Sequence, residues 1–435
     1  MILAGPGIPF VAFYGSITLV FPTYLTQHFG FSLGAAATVL SAVRLWETGI
    51  APLVGALSDA TASRFGRRIV WMAAAAPIVL AATTLLYFAP PDLPAGVLTA
   101  ALLALGTGWT MINVPHGAWA LEISNRTEDR ARIFGMRQFV GYGAMILFLL
   151  GPAVTERWWP DRGVAGQMAL VGGLILVSLP ASLALLARLV PERPAAPSPL
   201  AARQVWRVYV LPLRKPAFAP VAALFAAMGI YTAVESALYL FLVRAGLGLE
   251  AWGMSLLLLQ FTCGLASIPI WLGVRRRWGT VPTLRLVAAL QGVSSLALAF
   301  LPHGQLAPFL GLAILRGMVN GTEFILIRTL LGGLLEDHTA RHADVPAASY
   351  YASFHFLFDV AAALTTFVVL HALAGTGFDP RAAGVTGPDQ AERIKWLATI
   401  ALSMPPLLTL GLLCRMPPLP GGRMPASVSS ALRSS

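Results

Sequence analysis

Hydropathy alone predicts an all-α polytopic membrane protein with about 12 transmembrane helices in two six-helix halves. Three observations predict it. Only 11% of the 435 residues are charged and 57% are hydrophobic, whereas about a quarter of a soluble domain is charged. Apolar runs of about twenty residues, the length that crosses a membrane, follow one another from residue 9 to residue 414. Basic residues gather in alternate short turns between those runs, the pattern that sets topology.

The runs fall near 9–29, 31–58, 69–88, 95–121, 133–153, 167–189, 218–243, 251–274, 281–301, 306–335, 347–374 and 396–414. Each is read as a helix, because a helix satisfies its backbone within its own segment in lipid. The first thirty residues lack a basic leader and a small-residue cleavage site, so they read as a retained first helix. One set of turns carries Arg64, Arg67 and Arg68, then Arg126, Arg130 and Arg132, then the arginines and lysine of 193–215, then Arg275, Arg276 and Arg277. The opposite loops hold only scattered bases, among them Arg157, Arg162, Arg244 and Arg381. The positive-inside rule therefore places both termini in the cytoplasm, on an inner (plasma) membrane. The net charge of +11 resides in turns that face an anionic bilayer surface, and does not point to nucleic acid.

The longest stretch without a span, 190–216, is rich in Pro, Ala and Arg and reads as a semi-rigid cytoplasmic linker. It separates an N-terminal half, 1–189, from a C-terminal half, 217–435, that ends in a short cytoplasmic tail. Arg64-Phe65-Gly66-Arg67 after the second run is echoed by Arg277-Trp278-Gly279-Thr280 after the eighth. Weak repetition between halves is a mark of secondary transporters.

The turn after the second helix carries the densest signal: Gly55, Asp59, Arg64, Gly66, Arg67 and Arg68. Gly66 permits a tight turn that a side chain would obstruct. The arginines sit where they can pair with acids at neighbouring helix ends, or serve topology alone. This spacing resembles the loop between helices 2 and 3 of the major facilitator superfamily. With Arg44-x-Trp46-Glu47 upstream, it is similar to the glycoside–pentoside–hexuronide:cation symporter (melibiose permease-like) family. Asn113-Val114-Pro115-His116-Gly117-Ala118 through Glu122 and Arg132, and Trp396 to Pro420, resemble further parts of that family's pattern. The resemblance implies the major facilitator fold, alternating access, a small-molecule substrate and a coupling cation. It also implies a cytoplasmic gate built from Asp59, Arg64, Gly66, Arg67 and Arg68 with Glu122 and Arg132.

Glu47 precedes Asp59 by twelve residues, or about 18 Å of helix, close to mid-membrane. Arg44 lies one turn earlier on the same face. A charge at that depth costs about 2.5–3.5 kcal/mol on insertion scales, so the pair faces a partner or a wet cavity. The resemblance implies a cation-binding role for Glu47; the residues themselves equally allow a structural ion pair. Where the family has Asn-Asp-Pro one turn on, this chain has Ile50-Ala51-Pro52. One carboxylate and one amide of a sodium site are missing, so H+ is expected over Na+. The family's sugar-binding aspartates align with Val11 and Asn113, so the galactoside site is not carried over. Asn113, near the helix-breaking Pro115, reads as a cavity position or as an amide bonded to a neighbouring helix backbone, and His116 as a cavity position. Arg137 lines the cavity or snorkels to the interface.

In the second half, Asp359 is about twelve residues, or about 18 Å, into the eleventh helix. It replaces a family lysine and is the second candidate for proton coupling or for holding a cationic substrate. His355, one turn away, shares its proton or plays a hydrogen-bonded structural part. Arg316, Asn320 and Glu323 stand at offsets of four and seven, a polar stripe expected to line the cavity and to pair Arg316 with Asp359. Glu235 is expected nearer the outer side, in the cavity or at its gate. His338 and His342 beside Glu336 and Asp337 lack further ligands in spacing, so no metal is expected. Cys263 and Cys414 lie in separate apolar runs, and no disulfide is expected. No Walker loop, GxSxG or HExxH occurs, so neither an enzyme nor a cofactor is expected. The expectation is a monomeric secondary active transporter of a sugar-like or other small organic solute. An exporter or lipid-like solute carrier, and a non-transporting assembly or sensor protein, are the alternatives.

Overall fold

The structure is a computed structural model that describes residues 3, 5–122, 127–192, 210, 212–214, 218–341, 347–380 and 387–415. Twelve long helices make up the described residues. They are α1 (Gly7–Gln27), α2 (Leu33–Ala60), α3 (Arg67–Tyr87), α4 (Ala95–Glu122), α5 (Thr127–Trp158) and α6 (Gly163–Leu189), then α7 (Ala219–Gly246), α8 (Gly253–Trp278), α9 (Thr280–Leu296), α10, α11 (Ala347–Gly375) and α12 (Pro388–Arg415). α10 comes in two segments, Leu306–Val319 and Thr322–Arg341. By length and composition, 11 of the helices could cross a membrane. The exception is α2, whose apolar run is interrupted by Arg44 and Glu47.

Several helices outrun the apolar segments that revealed them. α5 extends to Thr127 and Trp158, and α12 begins at Pro388 rather than Trp396. A helix does not stop where lipid does: Asp389 in the first turn of α12 favours a helix start through the backbone dipole. α10 departs from expectation in the other direction. Asn320 leaves the helix with ψ 140° and Gly321 takes φ 82°, a conformation open to glycine and strained for other residues. The carbonyl of Met318, freed by this break, accepts from Ser267 Oγ at 2.8 Å and Trp271 Nε1 at 2.6 Å. Neighbouring side chains thus supply the bonds that lipid cannot.

Among the first six helices, α3 and α2 pack on α4, α1 on α5, and α3 on α6. Among the last six, α7 packs on α11 and α12, α9 on α12, and α8 on α10. Contact between the two sets runs along α2 with α11 and α5 with α8. A π-helical turn in α1, Ser16–Val20, also touches α7. The buried apolar residues form two cores. The larger contains the interior of α1–α6 together with the far ends of α7–α12, the ends away from the Arg64–Arg68 turn. The smaller, with Phe218, Leu224, Trp271, Leu284, Leu331 and Phe354, belongs to the last six helices alone, at the end that carries that basic turn. The two sets therefore share a core at one end only.

Close approach of α8 and α10 depends on Gly317. A Cβ there would stand 2.5 Å from the carbonyl oxygen of Gln260 and 2.7 Å from its Cα. Gly273 on α8, by contrast, has nothing within 4 Å of its Cβ position. Gly317→Ala is expected to lower the melting temperature of the detergent-purified protein, since overpacking costs about 1–3 kcal/mol. Gly273→Ala is expected to leave it level or raise it, Ala being the better helix former by about 1 kcal/mol. Equal responses would contradict this packing.

Candidate functional site

Three groups of polar residues sit inside the bundle. The first lies where α1, α2 and α11 meet. Arg44 places its guanidinium 4.4 Å from the centre of the Tyr14 ring and approaches Glu47 at 3.7 Å. That is a long ion pair, beyond hydrogen-bond range. The other Glu47 oxygen, Oε1, is buried and has no hydrogen-bond partner. It nests against Gly106 of α4, where a Cβ would meet it at 2.5 Å. Asp359 of α11 is within electrostatic reach of Tyr14, Arg44 and Glu47. His355 is 3.9 Å from Asp359 and stacked on Phe358. Both remain open, His355 with 48% and Asp359 with 30% of the side chain exposed.

Beside this group lies a narrow cavity between the two helix sets, about 30 Å³ in volume. Tyr14, Thr18 and Arg44 line it from one set; Thr232, Ser236 and Phe358 line it from the other. One cation among hydroxyl and apolar groups is a wall suited to a small polar solute: a few placed polar groups orient it, and the apolar surface supplies contact.

The second group is confined to the last six helices. Arg316 donates to Glu235 at 3.1 Å, to Tyr231 Oη at 3.3 Å and to Ser295 Oγ at 3.1 Å. Asn320 donates to Glu235 at 2.5 Å and accepts from Tyr231 at 3.0 Å. The expected Arg316–Asp359 pair is not formed. Glu235 takes the guanidinium instead, because α7 is the nearer wall and its carboxylate completes the network. The expected stripe is also broken: the turn at Asn320–Gly321 leaves Arg316 and Asn320 with Glu235, while Glu323 lies against Gln291 of α9 and Thr409 of α12. A helical-offset reading assumes an unbroken helix, and α10 is not one.

The third group is the basic turn. Arg68, buried, pairs with Asp59 and donates to Ser58 Oγ at 2.5 Å. Glu192, just past α6, accepts from the backbone N–H of Arg68 at 2.7 Å and of Ile69 at 3.3 Å. It thereby caps the N-terminus of α3, where backbone donors lack helical partners. Gly66 has φ 106°, and a Cβ on it would collide with the Glu192 carboxylate. Arg64 stays exposed over the Phe65 ring, and Arg67 is half-buried.

Other expected members fall elsewhere. His116 is buried on α4 and bonds through Nε2 to the carbonyl of Leu3 at 2.7 Å. It holds the start of the chain and does not line the cavity, as helix 4 turns that face to the N-terminal segment. Asn113 is exposed on α4 and is not among the cavity-lining residues. The side chains of Glu122, Arg132 and Arg137, and those of Glu336, Asp337 and His338, lie outside the described residues, as do His342 and most of the linker and tail.

Glu156 was not anticipated. This acid near the end of α5 accepts from Arg244 of α7 at 2.9 Å and from the backbone N–H groups of Met254 and Ser255, the first turn of α8, at 2.8 and 3.2 Å. Arg157 beside it stacks 5.2 Å from the Trp252 ring. These contacts join the first helix set to the second at the end away from the basic turn. Its sequence, Thr155-Glu156-Arg157-Trp158, reads as an ordinary interfacial helix end, and only the pairing partner on α7 reveals its part.

Gly66→Ala is expected to destabilise the protein, through strain at positive φ of about 1–2 kcal/mol and through displacement of the Glu192 cap, a cap being worth about 0.5–2 kcal/mol. Thermal unfolding measures the sum. Glu192→Ala should lose only the cap and fall less. A larger loss for Glu192→Ala would contradict the turn geometry.

Comparisons with known proteins agree with this architecture. The MFS/sugar transport protein family matches residues 3–418. Over 178 residues the chain is 28% identical to the uncharacterized symporter YnaJ of Bacillus subtilis, and over 150 residues 28% identical to the uncharacterized symporter sll1374 of Synechocystis. Those alignments span 38% of this chain and 38% of the first relative, and 32% and 27% for the second. In three dimensions the chain is similar to the nucleoside transporter NupG, with TM-score 0.67 at 14% identity over 94% of this chain and 98% of that one. It is similar also to a bacterial homologue of the human drug peptide transporters PepT1 and PepT2, with TM-score 0.66 at 15% identity over 100% and 98%. At these identities the likeness concerns the fold, which is that of the major facilitator transporters. With twelve helices in that fold and a family match over nearly its whole length, this chain belongs to the MFS/sugar transport protein family, a family of multi-pass membrane transporters.

Proposed function

We propose that this protein is a proton-coupled secondary transporter of a sugar-like or other small organic solute, working by alternating access. Residues 1–189 and 217–435 act as the two rocking halves, joined by a cytoplasmic linker at 190–216. The substrate occupies the cavity walled by Tyr14, Arg44, Thr232 and Ser236. The protein sits as a monomer in the inner membrane with both termini in the cytoplasm, as the distribution of its basic turns favours.

The observation that carries the proton reading is the state of Glu47. Its Oε1 is buried without a hydrogen-bond partner, and its one cation stands at 3.7 Å. A buried polar atom left unpaired asks for an occupant. A proton needs one oxygen; a sodium ion needs several, and Ile50 and Ala51 supply no side-chain oxygen on this face. When Glu47 is ionised, it holds Arg44. When it takes up a proton, Arg44 is free to turn toward the solute, and Asp359 becomes its nearest anion. Protonation and substrate binding are thereby linked through one guanidinium. The shared core and the Glu156–Arg244 contact at the far end favour reading this conformation as closed to the outside, with access from the cytoplasm.

The test is transport in proteoliposomes with a panel of sugars and organic acids under an imposed pH gradient. Glu47→Gln is expected to abolish gradient-driven accumulation while binding, read as ligand-induced thermal stabilisation, is retained. Accumulation that depends on Na+ and disappears in Glu47→Gln would overturn the preference for H+. Unchanged accumulation in both Glu47→Gln and Asp359→Asn would remove the mechanism.

A further inference from the structure

The second half repeats the basic turn of the first without its acids. Arg64-Phe65-Gly66 after α2 corresponds to Arg277-Trp278-Gly279 after α8, and both glycines take positive φ, 106° and 89°. In the first turn the charge is answered inside the protein. Asp59 pairs with Arg68, and Glu192, just past α6, binds the start of α3. Five residues before the leading arginine, where the first turn has Asp59, the second has Leu272. The end of α12, counterpart of the α6 end that supplies Glu192, carries Arg415 instead.

The result is a cluster of arginines that no acid meets. Arg275, Arg276 and Arg277 close α8. Arg285 of α9 donates to the carbonyl of Leu413 at 2.7 Å, which holds it against the last turn of α12, two residues from Arg415. Arg276, Arg277, Arg285 and Arg415 are exposed, and the buried Nε of Arg275 has no hydrogen-bond partner. Among the described residues none of these five arginines forms an ion pair. A helix C-terminus carries about half a negative elementary charge. The ends of α8 and α12 therefore offset about one of the five positive charges, and the start of α9 adds to the positive side.

We propose that this cluster binds an anionic phospholipid of the adjoining leaflet, its phosphate among the arginines and its acyl chains along the same helices. The guanidinium fork matches phosphate oxygens in pairs. Trp278, 55% exposed, is a side chain suited to the membrane–water interface. Ile270 and Leu408 stand seven residues before Arg277 and Arg415, on the same helix faces, and are 54% and 50% exposed. The arginines thus sit at the head of lipid-facing apolar surface, which a soluble anion could not use. Charge that is paired in one half and open in the other ties the second half to the leaflet. The site rests on the placement of the chain in a membrane and not on the transport reading.

Native mass spectrometry of the full chain in detergent, titrated with phosphatidylglycerol and separately with phosphatidylcholine, reads this site. The wild type is expected to bind phosphatidylglycerol the more tightly. Arg276→Gln combined with Arg277→Gln should weaken that binding about 25-fold, about fivefold for each arginine lost at an anionic surface, and leave phosphatidylcholine binding unchanged. Arg415→Gln, on a different helix, should weaken it about fivefold and decides the matter if the pair does not fold. Arg188→Gln combined with Arg214→Gln removes the same charge from exposed positions at the end of α6 and ahead of α7, and should leave phosphatidylglycerol binding as it is. Equal loss in the two pairs, the mark of diffuse charge, would overturn the proposal, as would wild-type affinity in the Arg276/Arg277 pair. Displacement of the lipid by an equal concentration of inorganic phosphate would also overturn it, since a soluble anion would then be the ligand.

Discussion

Ionisable groups inside an apolar helix bundle must be neutralised by a partner, a proton or water, and the arrangement of this protein follows from that cost. Its buried charges divide by how completely they are neutralised. Arg316 and Glu235 are held by Tyr231, Asn320 and Ser295 as well as by each other. Arg68 is held by Asp59 and Ser58. Glu156 is satisfied by Arg244 and two backbone N–H groups. Such multiply bonded groups fix helices in place. Glu47 differs: one long contact to Arg44 and an unbonded second oxygen leave it able to change state without dismantling the fold.

Packing puts that group at the seam. α2 carries Arg44 and Glu47, α11 carries Asp359, and the two helices lie along each other. At one end of the seam the two helix sets share a core, and Glu156 bridges α5 to α7 and α8. At the other end the second set keeps a core of its own, with His355 exposed and Asp359 half-buried. In the proposed mechanism a charge change at Glu47 acts between the end with a shared core and the end without one, a position from which a small local event can bias two rigid bodies. The break in α10 is itself held in place: Gly321 interrupts the helix, and the Met318 carbonyl accepts from Ser267 and Trp271.

Much of this was legible in the sequence because hydropathy and charge report directly on lipid. The helix order and the basic turn follow from hydropathy and charge along the chain, and the pairing of Arg44 with Glu47 from the helical repeat. What escaped depends on information that spacing lacks. Depth suggests Asp359 as a partner for Arg316, but depth does not say which helix is the neighbour, and Glu235 on α7 pairs with it instead. Asn320 reads as part of a polar stripe, although the Gly321 that follows it inside an apolar run is a fair sign of a break. Glu156 and Glu192 are helix-end acids; each caps the start of another helix, a relation visible only when the chain is folded. His116 reads as a cavity residue from the motif around it, and the Leu3 carbonyl takes its ring instead.

The proposed mechanism requires that the proton on Glu47 set which end of the seam is closed. Distances between spin labels at Trp158→Cys on α5 and Glu250→Cys before α8, in a background with Cys263 and Cys414 replaced by Ser, would measure this most directly across a series of pH values in lipid. The wild type should show a short and a long distance whose proportions change with pH, and Glu47→Gln should show proportions that do not. A single pH-independent distance in the wild type, or the same pH response in Glu47→Gln, would contradict it.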